Sequence, residues 1–155
     1  METYHVPEAR RATLLDAITV SNNLRTADQL ELQAIHGVDA DFQLLLARSW
    51  KASSQVWTIV RDNVPIGIFG VAPVHGTWGA PWLLATDELP RIAKSFLKHC
   101  PEYVEFMLDE YPNLINYAHK HNKIHLAWLR HLGFTLMPTV GEFQPFIKTR
   151  GTPDV

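Results

Sequence analysis

Cysteine is almost missing from this chain. Cys100 is the only one among 155 residues. No disulfide can close within the chain, which agrees with a reducing compartment. Long apolar runs are missing too, and no segment approaches the roughly 20 apolar residues that span a bilayer. The opening "METYHVPEARRATLLDAITV" mixes acidic and basic residues ahead of any apolar run, which is the pattern of neither a signal peptide nor a membrane anchor. The expectation is a soluble protein, intracellular or carried inside a particle made in a cell. Runs of Lys and Arg are missing, and the formal net charge is -2, which excludes a broad electrostatic footprint for nucleic acid. There is no internal repeat and no low-complexity tract.

What is present is ordinary globular material. Hydrophobic residues make up 46% and charged residues 19%, enough to fill one core, so residues 1–155 read as one domain. Tryptophan is abundant: Trp50, Trp57, Trp78, Trp82 and Trp128. Large aromatic rings mostly pack cores. The sharper reading puts Trp78 and Trp82, beside a glycine-bearing turn, on the wall of a ligand groove.

The N-terminal third reads as one strand and two or three helices. "TYHVP" predicts a strand over 3–7. "EARRATLLDAITVSNN" predicts a helix with Leu14, Leu15, Ile18 and Val20 as its stripe. "TADQLELQAIHG" predicts a second, with Thr26 or Asp28 as N-cap and Gly37 as stop. "DADFQLLLARSWKAS" predicts a third, starting at Asp39 or Asp41, with Phe42, Leu45, Leu46 and Trp50 inward.

The hydrophobic period then changes from helical to alternating. "QVWTIVRDN", "IGIFGVAPV" and "PWLLAT" read as three strands of an antiparallel meander. Asp62, Asn63 and Pro65 form its first turn. Gly67 and Gly70 suggest a bulge or a close backbone approach. "DELPRIAKSFLKHCPEYVEFMLDEYPN" is a long helical region with Pro90 in its first turn and a kink or restart expected at Pro101. "NLINYAHKH" is a strand. "NKIHLAWLRHLG" is a short helix capped by Asn122 and stopped by Gly133. "FTLMPTV" and "EFQPFIKT" close the chain as strands. The class is α+β, a mixed, mostly antiparallel sheet flanked by helices. Strands on either side of the crossover helix would open a V-shaped groove where they splay.

This order resembles the GCN5-related N-acetyltransferase (GNAT) fold over nearly the whole chain. The sharpest local match is Asn122, Trp128, Leu132, Gly133 and Phe134, in the family's register for the helix after the fifth strand. The resemblance implies acetyl-CoA lying along "PWLLAT". The backbones of Leu84 and Ala85 would take the pantetheine arm, Arg91 or Lys94 the phosphates, and Asn122 would also contact the cofactor. His119 or His121 would supply the acid or base.

Two departures weaken that chemistry. The family's glycine-rich pyrophosphate loop corresponds to "LLATDELPRIAK", which has no glycine, places Asp87 and Glu88 where an anion should sit, and loses a donor at Pro90. The family's general-acid Tyr corresponds to Leu129, which transfers no proton. Acetyl-CoA is therefore the implied cofactor with its phosphate cradle missing. The chain is more closely similar to acetyltransferase-like and internal virion proteins of T7-group podophages, on "WLLATDEL", the Asn-to-Gly helix with Leu in place of Tyr, and "FQPF". That implies a phage origin and partners in the virion or among host proteins, in the host cytoplasm or the particle. Two functions follow: a degenerate scaffold acting through partners, or an active acyl-CoA-dependent N-acetyltransferase for a host protein or a small amine.

Other chemistry is thinner. His119, His121, His125 and His131 cluster, but no HExxH and no cysteine pair accompanies them, so no metal site is expected. Cys100, on a helical face, reads as a packed thiol. Asp62, Asp87 and Glu88 are the candidate bases, each more simply a turn or cap residue.

Overall fold

The computed structural model describes residues 8–150, so the strand expected over 3–7 lies outside the described residues. The elements run β1 (Glu8–Arg11), α1 (Leu14–Ser21), α2 (Thr26–His36), α3 (Phe42–Ala52), β2 (Gln55–Arg61), β3 (Val64–His75), β4 (Trp78–Ala85), a 3-10 turn at Leu89–Ile92, α4 (Ala93–Glu110), β5 (Asn113–His119), α5 (Lys123–His131), β6 (Thr135–Leu136) and β7 (Phe143–Thr149). The strands form one sheet in the order β1-β2-β3-β4-β5-β7-β6. Every neighbouring pair is antiparallel except β4 with β5. This is the α+β architecture read from the sequence.

Side chains alternate across the sheet and feed two cores. Ile68 packs with Ala17, Val20, Leu24 and Leu46 on the α1 and α3 face. Its neighbour Phe69 packs with Phe96, Cys100, Val104 and Met107 of α4 and with Leu126 and Leu129 of α5 on the other. The first hairpin turns through Asp62 and Asn63 at φ 52° and 66°, the paired left-handed geometry that suits right-twisted strands.

Several local expectations are corrected. Residues 8–11 extend as β1 beside β2, and α1 starts only after Thr13. There a capping box forms: the Asp16 amide donates to Thr13 Oγ1 (3.2 Å) and the Thr13 amide to Asp16 Oδ2 (2.9 Å). Leu14 and Leu15 lie outside the buried stripe, and Leu15 is 70% exposed. Arg25, with no side-chain cap, precedes α2, while Gly37 ends it at φ 101°. Asp41, not Asp39, caps α3. β4 begins three residues before "PWLLAT". Pro101 neither stops nor restarts α4, which runs through it for 18 residues. Proline removes one N–H there, but Phe96 and Cys100 before it and Val104, Met107 and Leu108 after it bind both halves to the same core.

Candidate functional site

β4 and β5 pair only at Trp78 with Asn113 and Gly79 with Leu114, then separate. Gly79 sits at this junction because a Cβ there would lie 2.6 Å from the Tyr111 ring. Beyond it, the edge of β4 that faces β5 meets side chains instead of a strand. Pro81 has no N–H, and its carbonyl accepts from Asn116 Nδ2 of β5 at 2.8 Å. The Ala85 amide donates to Asp28 Oδ2 of α2 at 2.9 Å, and the Ala85 carbonyl accepts from the Arg25 amide at 2.9 Å. The Thr86 amide points the other way, to Ile66 O of β3. Strand alternation turns the Leu84 backbone toward β3 as well, and that of Leu83 toward the gap.

The far wall is tied to the same helix. The His119 amide donates to Glu31 Oε1 at 3.2 Å, and Asn122 Nδ2 donates to Glu31 Oε2 at 3.3 Å. Asn122 also caps α5, accepting from the His125 amide at 3.4 Å. Two carboxylates of one helix thus bridge both ends of the splayed strands. Asp28 is buried and held by a bidentate Arg25. Burial pushes the Glu31 carboxyl above its ordinary range, with the Asn122 hydrogen bond acting in the opposite direction.

Leu83, Phe69, Phe96, Met107 and Trp128 line an apolar cavity of about 80 Å³. Trp82 is also in its lining, with its indole N–H held by Ser53 Oγ at 2.8 Å, whereas Trp78, paired with His75 and Asn113, is not. His125 also lines the cavity. Its Nδ1 is buried with no hydrogen-bond partner, 3.9 Å from Glu31 Oε2. Burial pushes this imidazole down to about 4, so it is neutral at physiological pH.

The residues singled out from sequence fall into three groups. Ala85, His119 and Asn122 meet at the cleft through α2. The His119 ring is turned to other partners: its Nδ1 accepts from the His121 amide at 3.2 Å and its Nε2 lies 3.8 Å from Glu142. His121 is exposed. Arg91 and the exposed Lys94 stand at the start of the crossover helix, with Arg91 3.5 Å from Glu88. The amides there are engaged internally: Glu88 with Thr86 Oγ1, Leu89 with Thr86 O, and Arg91 with Glu88 O. With Pro90 lacking an N–H, positions 88–91 offer an anion no free main-chain donor. Among the described residues, no group of three or more His, Cys, Asp and Glu could hold a metal, and no helix is long and apolar enough to cross a membrane. Cys100 is buried and its thiol is pushed up to about 12, which leaves it unreactive.

The architecture has many solved counterparts. PaiA N-acetyltransferase from Thermoplasma acidophilum, solved with coenzyme A, superposes with a TM-score of 0.66 at 14% identity, covering 92% of this chain and 98% of its own. Ribosomal-protein-alanine N-acetyltransferase from Brucella melitensis gives 0.66 at 16%, covering 92% and 99%. The GNAT domain of S. lividans PAT gives 0.68 at 8%, covering 92% and 90%. This chain has the GNAT fold. At these identities the likeness is one of fold alone. A family model described as "Bacteriophage T7, probable scaffold protein Gp13" matches residues 70–138, under half of the chain. No curated protein matches it.

Glu31 and His125 were not reached from sequence. Glu31 sits in a helix read only for its cap, its stop and its apolar residues, and its partners are 88 and 91 positions away. His125 was visible only as one member of a histidine cluster.

Proposed function

We propose that this chain is a phage protein of GNAT fold that acts through protein partners, in the virion or in the host cytoplasm, with its acyl-transfer cleft closed. Residues 1–155 form its single domain in this reading. The observation that carries it is the α2 bridge: Asp28 occupies the Ala85 amide, where the GNAT resemblance places the pantetheine arm, and Glu31 occupies the His119 amide at the end of β5. The engaged amides at 88–91 and Leu129 in the place of the Tyr support it further, and the phage family model is compatible with it. Thermal shift and calorimetry with millimolar acetyl-CoA test it, because a ligand that binds only the native state raises stability. No shift is expected, and a saturable rise in melting temperature would sink the reading. Mass spectrometry of purified particles separates the two locations: presence assigns the virion, and absence assigns the host.

A second reading, an acyl-CoA-dependent N-acetyltransferase for a host protein or small amine, is favoured by the apolar cavity and the unpartnered His125 Nδ1 beside it. In that reading Ala85, Asn122, Arg91 and Lys94 hold the cofactor, without the Leu84 backbone, which faces β3, and His119 or His121 moves the proton. Acetylation of a mixed amine library by the purified chain would establish it.

A further inference from the structure

Helix α2 is built inside out. A helix on a protein surface ordinarily turns its apolar stripe to the core and its charges to water. Here both acidic residues turn inward, and the exposed positions include no Asp, Glu, Lys or Arg: Thr26, Ala27, Leu30, Ala34, Ile35 and His36. Leu30 is 59% exposed. Asp28 is the one fully buried residue of the helix. Its attachment is therefore mainly polar: Asp28 to the Ala85 amide, Glu31 to the His119 amide and to Asn122, and the Arg25 amide to the Ala85 carbonyl. The first turn has no side-chain cap. Apart from Leu32, half-buried against the α1 and α3 core, α2 buries little apolar surface, and a segment held mainly by a few polar ties opens locally at low free energy.

We propose that α2 is an autoinhibitory strap. Its carboxylates and the Arg25 amide stand in for the carbonyl and N–H groups of an extended amide-bearing chain, such as the pantetheine arm of a coenzyme A thioester. They hold the cleft shut until α2 lifts as a unit. Lifting frees both main-chain groups of Ala85, the amide of His119 and the Asn122 side-chain amide. This deepens the closed-cleft reading and rests on it, by making the closure reversible.

Two amide protons report the strap directly, because their acceptors belong to α2. In native-state hydrogen exchange of the whole chain, Ala85, His119 and the α2 amides should share one opening rate, at least about ten-fold faster than Phe69 in β3. Exchange of Ala85 and His119 only together with Phe69 would overturn the strap. The second arm is ligand binding. The double variant Asp28→Ala, Glu31→Ala should gain a saturable melting-temperature rise with millimolar acetyl-CoA that the wild type lacks. A folded double variant with no gain overturns the inhibitory role. If the double variant does not fold, Glu31→Ala alone carries the same two outcomes. Binding of acetyl-CoA by the wild type would sink the closed-cleft reading instead, and the strap would still be judged by the shared exchange rate.

Discussion

Single side chains in this molecule carry charge states that their neighbours impose. His125 is faced by Glu31 and Asp28 of α2, by Arg25 just before that helix, by Asn122 at the head of its own helix, and by the Phe146 ring of β7. Burial is the largest effect and holds it neutral down to about pH 4. The unfolded chain protonates it near pH 6.5, so between those values the unfolded state binds more protons. Stability should fall as pH drops from about 6.5 to about 4, by up to about 3 kcal/mol from this residue. Glu31, shifted upward, contributes in the opposite sense as pH rises through its own range. Urea unfolding at pH 7 and pH 4.5 should show a smaller pH difference for His125→Gln than for the wild type. An equal difference would place the protonation elsewhere. Asp16 behaves conversely. Burial raises its carboxyl, but bonds from Arg10, Thr13 and Thr58 outweigh that and hold it at about 2. Its contribution is present above about pH 4 and lost as pH falls to about 2. Asp16→Asn should cost about 2 kcal/mol at pH 7 by the same melts and much less near pH 2.

Elements show where local chemistry suffices and where packing overrides it. The hairpin at Asp62 and Asn63 and helix α5, with Asn122 at its head and Gly133 at φ 89° behind it, follow from residues adjacent in sequence. α4 does not. Pro101 reads as a break, yet the helix continues because its buried stripe on either side is worth more than one missing hydrogen bond. Pro101 is exposed, so alanine can restore that bond without disturbing the core. Pro101→Ala should stabilise the protein by about 1–3 kcal/mol, read as a higher urea midpoint. An unchanged midpoint would mean that the helix has relaxed fully around the ring. The N-terminal stretch erred in the other direction. A helical stripe through Leu14 and Leu15 was legible, but the T-x-x-D box at Thr13 and Asp16 was the stronger signal for where α1 begins.

At the scale of the whole molecule, two cores on opposite faces share one sheet, and the two halves of that sheet meet at two residue pairs. Gly79 is one of them, pressed against Tyr111 and Val71. Gly79→Ala would place a methyl 2.6 Å from that ring and should destabilise the chain by about 1–3 kcal/mol, measured by urea unfolding followed separately in β1–β4 and in β5–β7. Loss of one set of strands before the other would show the halves unfolding separately.

The order of strands and helices, the first hairpin, the cap of α5 and the GNAT resemblance were all set by sequence, because each rests on residues within a few positions of one another, while the choice of Asp41 over Asp39 as the α3 cap was left to the structure. The V-shaped groove was legible too, from the single parallel crossover. What fills that groove was not. The worth of a carboxylate at Asp28 or Glu31 depends on amides 57 and 88 positions away, and only the folded sheet brings them within hydrogen-bond reach. A pattern of polar and apolar residues records which way a helix would face if water were on one side and a hydrocarbon core on the other. For α2 the inner side is only partly a core, met by Leu32. The rest is two strand edges left unpaired where β4 and β5 separate, and tertiary structure alone decided that its acids should turn toward them.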